Sequence, residues 1–307
     1  MNEQVGTTKT IKSTRFSPLV FAILSLIGVF ILYQGMGGGI AFLIFGSRVT
    51  QENLAVVRFT TMVSQFIFLL IPTLLLIKWQ HGSLRAALPL RIPKMSEIIL
   101  TVVSVMALQQ VLEGYIFFQD KIPLPSSIAP YVEMMKKSIE ETYKLLVETH
   151  SVLELLYIII IVSVTPALCE EVLFRGLIQK NILLGSNVTL SWIVTGVIFA
   201  LYHVNPFLVV PLMLIGMFFS FLLHRSQTII LPMIAHFTNN VISAMQAFTW
   251  HDEPSRGSLS IFEQASTPMP LVLILIVGFG LVFAISFIMY LKTTSSLTNV
   301  SRVTNAM

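Results

Sequence analysis

Aspartate is nearly missing from this chain: in 307 residues it occurs at Asp120 and Asp252, and both lie between apolar runs. An aspartyl protease acting inside a membrane needs two aspartates at membrane depth, so that chemistry is excluded. No Gly-x-Ser-x-Gly elbow and no His-Glu-x-x-His pair occurs, which removes the serine-elbow hydrolases and the zinc proteases of that pattern. Cysteine occurs once, at Cys169, so no intrachain disulfide can form. Charged residues make up only 11% of the chain, against about 25% in a soluble globular protein. The net charge of +4 is modest and spread through the loops, which gives no basis for a nucleic-acid partner.

What the chain has in abundance is apolar sequence, 55% of its residues, with a mean hydropathy of +0.83. That is the composition of a polytopic membrane protein in contact with a lipid bilayer. Apolar runs near the roughly 20 residues needed to cross it fall at about 18–45, 55–77, 97–118 and 152–174. Further runs follow at about 188–204, 207–223, 229–248 and 270–291, giving eight expected spans. The first is too long for a signal-peptide core and lacks a small-x-small cleavage site, so it reads as a span. The expectation is an all-α membrane helix bundle forming a single domain over 1–307.

Basic residues should mark the cytoplasmic ends. They stand in a tail over 1–17 (Lys9, Lys12, Arg15), between spans two and three (Lys78, Arg85, Arg91, Lys94), and after span four (Arg175, Lys180). Arg225 follows span six, and Lys292 and Arg302 follow span eight, whereas Asp252, Glu253 and Glu263 face Arg256 after span seven. The alternation places both termini in the cytoplasm. The long loop over 119–150, on the other side, holds Pro123, Pro125 and Pro130 and then a helical stretch. Its apolar Tyr131, Met135, Ile139, Tyr143 and Leu146 share one face, so an amphipathic helix is expected, lying on the membrane surface, over the bundle mouth or against the rest of the protein. Arg58 reads as an interfacial anchor. Gln109 and Glu113 share a face of span three, with Glu113 near enough to the end to snorkel. The Leu212–Leu223 stretch suits a lipid-facing helix better than a substrate wall.

Within this apolar chain, Glu170 and Glu171 sit side by side in span four. A charge at mid-bilayer costs roughly 2.5–3.5 kcal/mol on insertion scales, so such residues ordinarily serve a function. Glu171 and Arg175 are four apart with the acid N-terminal and can pair on one helix face. Glu170, about 100° round the helix, is left for another role. Span five ends with Phe199 and His203 at i,i+4, and span seven places His236 and Asn240 one turn apart. A lone histidine on an apolar face is ordinarily a satisfied packing residue. Two of them, with an amide and an unpaired carboxylate, on separate helices point instead to a site. His203 lies about 20 Å along a full-length span five, deeper than Glu170 and His236, so the helix must be short, tilted or recessed. Pro206 just beyond it fits an early stop.

Glu170-Glu171-x-x-x-Arg175, Phe199-x-x-x-His203 and His236-x-x-x-Asn240, in that order over 150–245, resemble the three motifs of the CAAX protease and bacteriocin-processing (CPBP, or Abi) family. These are intramembrane endopeptidases related to the type II CAAX prenyl endopeptidase. The resemblance implies a catalytic set of Glu170, His203, His236 and Asn240, with Glu170 and His203 activating a water and His236 and Asn240 stabilising the oxyanion. Glu171, Arg175 and Phe199 would support them. It implies hydrolysis of a membrane-associated or lipidated peptide or protein and a multi-pass location in a bacterial inner membrane. It favours a mechanism without a metal cofactor, although Glu170, His203 and His236 also match the ligand count of a catalytic zinc. Cys169 is expected to pack rather than react. Two rival readings stay open: a non-proteolytic immunity factor or scaffold, and a proton-coupled transporter relaying through Glu170, His203 and His236. No internal repeat supports the transporter.

Overall fold

The computed structural model describes residues 16–46, 49–149, 151–249 and 268–294. Among these residues regular structure is helical, apart from one isolated bridge between Leu90 and Thr228. The helices are α1 (Pro18–Ile44), α2 (Leu54–His81), α3 (Met95–Gln119), α4 (Ala129–Val147) and α5 (Val152–Gly185). They continue as α6 (Val188–Tyr202), α7 (Pro206–Ser226), α8 (Ile230–Thr249) and α9 (Met269–Thr293). The expected tail (Lys9, Lys12, Arg15), the acidic loop (Asp252, Glu253, Arg256, Glu263) and Arg302 lie outside the described residues.

Six of the helices are long and apolar enough to cross a membrane: α1, α2, α3, α5, α7 and α9. The two remaining expected spans, α6 and α8, are present as helices but do not meet that measure. α6 has 15 residues, about 22 Å of helix against a hydrocarbon core of about 30 Å. α8 has 20 residues but carries His236, Thr238, Asn239 and Asn240. Length fails in one and apolarity in the other, and both are helices that bear candidate site residues. α5 runs further than the sequence predicts, to Gly185 rather than residue 174.

Two apolar cores hold the bundle. Phe21, Val29, Leu69, Ile77, Leu173, Phe174 and Phe199 join α1, α2, α5 and α6 in the first. Val105, Leu112, Phe218, Phe219, Leu222, Ala235 and Tyr290 join α3, α7, α8 and α9 in the second. Outward faces of the long helices, among them Ile23, Ile27, Leu75, Ile274 and Leu281, expose apolar side chains, as a lipid solvent requires. The inner face of α7 is not lipid-facing: Ile215, Phe218, Phe219 and Leu222 are buried. Phe199 and Phe219, ring centroids 6.4 Å apart, bridge the two cores, and the candidate residues gather at this seam.

Polar ties lock the helices in register. Gln80 and Asn181 exchange amide hydrogen bonds of 2.5 and 3.0 Å between α2 and α5. Arg91 pairs with the buried Glu97 at 3.0 Å and donates to the Ser226 carbonyl, which fastens the loop before α3 to the turn before α8. Arg225 donates to the Leu291 carbonyl at 2.8 Å near the end of α9. Arg58, read from the sequence as an interfacial anchor, ties two helices together. It is buried in α2, and its guanidinium donates to the carbonyls of Leu145, Leu146 and Glu148 at the end of α4. A cation on the last carbonyls of a helix satisfies acceptors that have no helical donor and meets the negative end of the dipole. α4 is the expected amphipathic helix, but its inward side is Ile139, Tyr143, Leu146 and Val147, while Tyr131 and Met135 are exposed. The helix turns inward only toward the end that Arg58 holds.

α6 and α7 cross at two glycines. A Cβ on Gly196 would stand 2.4 Å from Met217 Cγ and 2.8 Å from the Met213 carbonyl oxygen and the Met217 nitrogen. A Cβ on Gly216 would stand 3.1 Å from the Gly196 Cα. Small residues let helix backbones approach in a membrane, and here the approach fixes the helix that ends at His203. Gly196→Ala must push α6 and α7 apart and should lower stability by about 1–3 kcal/mol. Thermal unfolding of the detergent-solubilised protein measures this, and an unchanged midpoint would refute the close crossing.

Candidate active site

The geometry begins with α5, whose regular segment Thr165–Glu171 lies between two π-helical stretches, Ile160–Val164 and Val172–Ile178. Such wide turns re-aim side chains and recur at functional sites. Pro166 has no N–H, so a carbonyl of the preceding turn loses its helical donor. Asn240 Nδ2 from α8 donates to the Val162 carbonyl in that turn at 3.1 Å. A break in one helix thereby receives an amide from another.

Glu171, Arg175 and Gln179 form a stripe at i, i+4 and i+8 toward α7. Arg175 is 1% exposed and donates through NH1 to Glu171 Oε1 at 3.0 Å and through NH2 to the Gly216 carbonyl at 2.8 Å. Gln179 donates to the Ser220 carbonyl at 2.9 Å. The absent side chain at Gly216 leaves room for the guanidinium to reach the backbone. Phe199, Phe219 and Phe174 surround that guanidinium at 4.9, 5.3 and 5.9 Å, so its charge meets aromatic faces where it does not meet oxygen. The pairing expected from the sequence is present, and Glu171 does more. Its Oε1 also lies 2.8 Å from His236 Nδ1. One carboxylate oxygen therefore ties α5 internally and fixes an imidazole on α8. Phe219 stacks against that imidazole at 5.5 Å and 30°, and Phe199 meets it edge-on at 5.7 Å.

His203 sits at the C-cap of α6. The helix stops there as expected, and the means is visible: Val204 adopts φ +51° and Pro206 opens the next helical turn. A β-branched residue rarely adopts that conformation, so the turn is held by its surroundings. The His203 ring lies 4.6 Å from Phe199, and its Nδ1 hydrogen-bonds the Phe199 carbonyl at 2.7 Å. That leaves Nε2 facing Glu170. The short helix resolves the difference in depth between His203 and its partners.

The carboxylate of Glu170 is the meeting point. Its Oε2 lies 3.7 Å from His203 Nε2 and 4.0 Å from His236 Nε2, and has no hydrogen-bond partner among the described residues. Both separations exceed a hydrogen bond and are of the size that a bridging oxygen spans. His203 is the most open of the three, its side chain 29% exposed against 11% for Glu170 and 4% for His236, so approach is from the His203 side. Cys169, next to Glu170, is fully buried in the first core and packs as expected. Among the described residues no group of three His, Cys, Asp or Glu side chains is arranged to hold a metal ion.

All seven residues singled out from the sequence thus converge: Glu170, Glu171 and Arg175 from α5, Phe199 and His203 from α6, and His236 and Asn240 from α8. Sequence reasoning missed the second partner of Glu171, the π–cation cage of Phe219 and Phe174, and Asn239, whose Nδ2 donates to Asn240 Oδ1 at 3.2 Å. Asn239 adjoins a motif residue, and that adjacency was its only signal. Gln109 reaches this region too, donating to Ser243 Oγ at 3.3 Å.

No curated protein and no solved structure matches the chain. Residues 152–242 match a family model described as Rce1-like, type II CAAX prenyl endopeptidase Rce1-like. That stretch contains every residue of the cluster, so over the part that builds the site the chain is similar to this CAAX protease family.

Proposed function

We propose that the protein is a glutamate-dependent intramembrane endopeptidase that cleaves a membrane-associated or lipidated peptide or protein without a resident metal. The observation that carries this reading is the buried Glu170 Oε2, without a hydrogen-bond partner among the described residues and faced by two imidazole Nε2 atoms. A water bound between Glu170 and His203 loses a proton to the carboxylate as its oxygen attacks the substrate carbonyl. With Nδ1–H given to the Phe199 carbonyl, His203 offers the Nε2 lone pair to that water and holds it in line. His236, held by Glu171 through Nδ1, donates through Nε2 in its doubly protonated form to the developing oxyanion, whose negative charge offsets that of the imidazolium. Asn240 Nδ2 gives one N–H to Val162 and has a second for the oxyanion. Glu170 then returns the proton to the leaving amine. The base contributes about 10²–10⁴-fold in rate, and each fixed oxyanion donor about 10²–10³-fold. The name of the matched family points to a prenylated C-terminal segment as one substrate of this class. The basic-residue pattern supports a multi-pass arrangement with both termini cytoplasmic.

The peptide ends in membranes of cells expressing the protein and its Glu170→Gln variant at matched levels test the reading. New ends are expected with the wild type and not with Glu170→Gln, and Asn240→Ala should reduce them by about 10²–10³-fold. Ends that persist in Glu170→Gln would refute the glutamate mechanism, and a shared cellular phenotype with no differing ends would favour the scaffold reading.

Glu171→Gln should behave differently, because it leaves Arg175 buried without its charge partner and frees His236. A loss of about 3–5 kcal/mol in unfolding stability is expected together with lost cleavage, whereas Glu170→Gln should leave stability near wild type. Thermal unfolding of the two purified variants separates these roles.

A further inference from the structure

Asn240 gives both ends of its side-chain amide to partners. Its Nδ2 donates to the Val162 carbonyl of α5 at 3.1 Å, and its Oδ1 accepts from Asn239 Nδ2 at 3.2 Å. Successive residues on a helix point about 100° apart and do not ordinarily face each other. Contact between these two neighbours is thus a feature of the site and not a by-product of helical spacing. The mechanism above uses Asn240 and leaves Asn239 without a task.

A carboxamide has nearly the same shape either way up, and its partners decide which end is oxygen and which is nitrogen. Turned over, Asn240 would bring Oδ1 against the Val162 carbonyl and Nδ2 against the Asn239 amide, two unfavourable contacts in place of two hydrogen bonds. The oxyanion role requires the present orientation, because a donor stabilises a developing negative charge and an amide oxygen repels it. Val162 fixes the nitrogen end from α5, and Asn239 fixes the oxygen end from α8 itself. With the planar amide held at both ends, the second Nδ2 hydrogen also has a set direction. The turn that carries Asn239 is tied to a further helix. Ser243 Oγ donates to the Asn239 carbonyl at 3.2 Å and accepts from Gln109 Nε2 of α3 at 3.3 Å. The serine bond to the carbonyl four residues back is commonplace in helices, but the donor arriving from α3 holds this face of α8 against rotation.

We propose that Asn239 is a positioning residue for the hydrolysis: its side-chain N–H holds Asn240 Oδ1 and so keeps Asn240 Nδ2 directed at the oxyanion. It acts through Asn240 and not on the substrate. The inference rests on the glutamate-protease reading, and within it on Asn240 as an oxyanion donor.

The test counts Glu170-dependent peptide ends by mass spectrometry in membranes of cells expressing the full-length protein at matched levels. The variants are Asn239→Ala, Asn239→Asp, Asn240→Ala and the double alanine variant. Asn239→Ala removes the donor and leaves Val162 alone to hold the amide, so the yield should fall about 5- to 10-fold. Asn239→Asp puts an acceptor where the donor stood. It should turn the Asn240 amide over and cost about 10²-fold, close to the loss in Asn240→Ala. The double variant separates positioning from structure: once Asn240 has no amide, removing Asn239 should cost nothing further. An equal extra loss in both backgrounds overturns the proposal. Should Asn239→Ala lower the thermal unfolding midpoint, Asn239→Ser, whose hydroxyl stops an atom short of Asn240, carries the same cycle. Wild-type yield in the Asn239 variants, with Asn240→Ala impaired, overturns the positioning role and leaves the oxyanion reading standing. Wild-type yield in Asn240→Ala removes the oxyanion reading and the task of Asn239 with it. Ends that survive Glu170→Gln overturn the glutamate mechanism whatever Asn239 does.

Discussion

A single carboxylate oxygen, Glu171 Oε1, is the constraint on which the site depends. It accepts from Arg175 on its own helix and meets His236 on α8, and Arg175 in turn reaches the backbone of α7. Three helices are thus referred to one buried atom. Breaking such a pair leaves an uncompensated charge where water does not compensate, which is far costlier than never having built it. The aromatic cage of Phe174, Phe199 and Phe219 serves the same end, since it closes the space around the guanidinium and orients the imidazoles with the same rings. Structure and chemistry share residues here, and the two glutamates differ in their ties: Glu171 Oε1 meets both Arg175 and His236, whereas Glu170 Oε2 has no hydrogen-bond partner among the described residues.

The second constraint is where helices are allowed to fail. α5 is interrupted by wide turns and by Pro166, and α6 stops a turn or more short of crossing. Each failure exposes a backbone carbonyl that the site then uses: Val162 for Asn240, and Phe199 for His203. In a bilayer an unsatisfied carbonyl is expensive, so these breaks persist because neighbouring side chains answer them. The positive φ at Val204 belongs with them.

How much of this was legible in the sequence follows from range. The Glu171–Arg175 pair, the Phe199–His203 step and the His236–Asn240 step are one-turn relations, and helical periodicity states them without any tertiary knowledge. Apolar length marked the long spans for the same reason. Contacts between helices were not legible: nothing in the spacing says that Glu171 meets His236, that Arg58 holds the end of α4, or that Gly196 faces Gly216. Amphipathicity shows which residues of α4 share an apolar face and not which turns of it touch a neighbour, and only the second half of that face is turned inward. The count of eight spans treated α6 and α8 as ordinary crossings, whereas α6 is shorter and α8 more polar than the six long apolar helices.

The shortness of α6 and the polarity of α8 also bear on how the chain enters its membrane. Insertion selects segments one at a time by apolarity, and His236, Asn239 and Asn240 weigh against α8 as an independent segment. Neither helix is suited to wait alone in lipid, whereas α5 and α7 are. α7 lies between them in the chain and packs against both, so it is the natural escort. The candidate site residues of α5, α6 and α8 therefore meet only where these helices are packed together, and their assembly depends on α7 being in place.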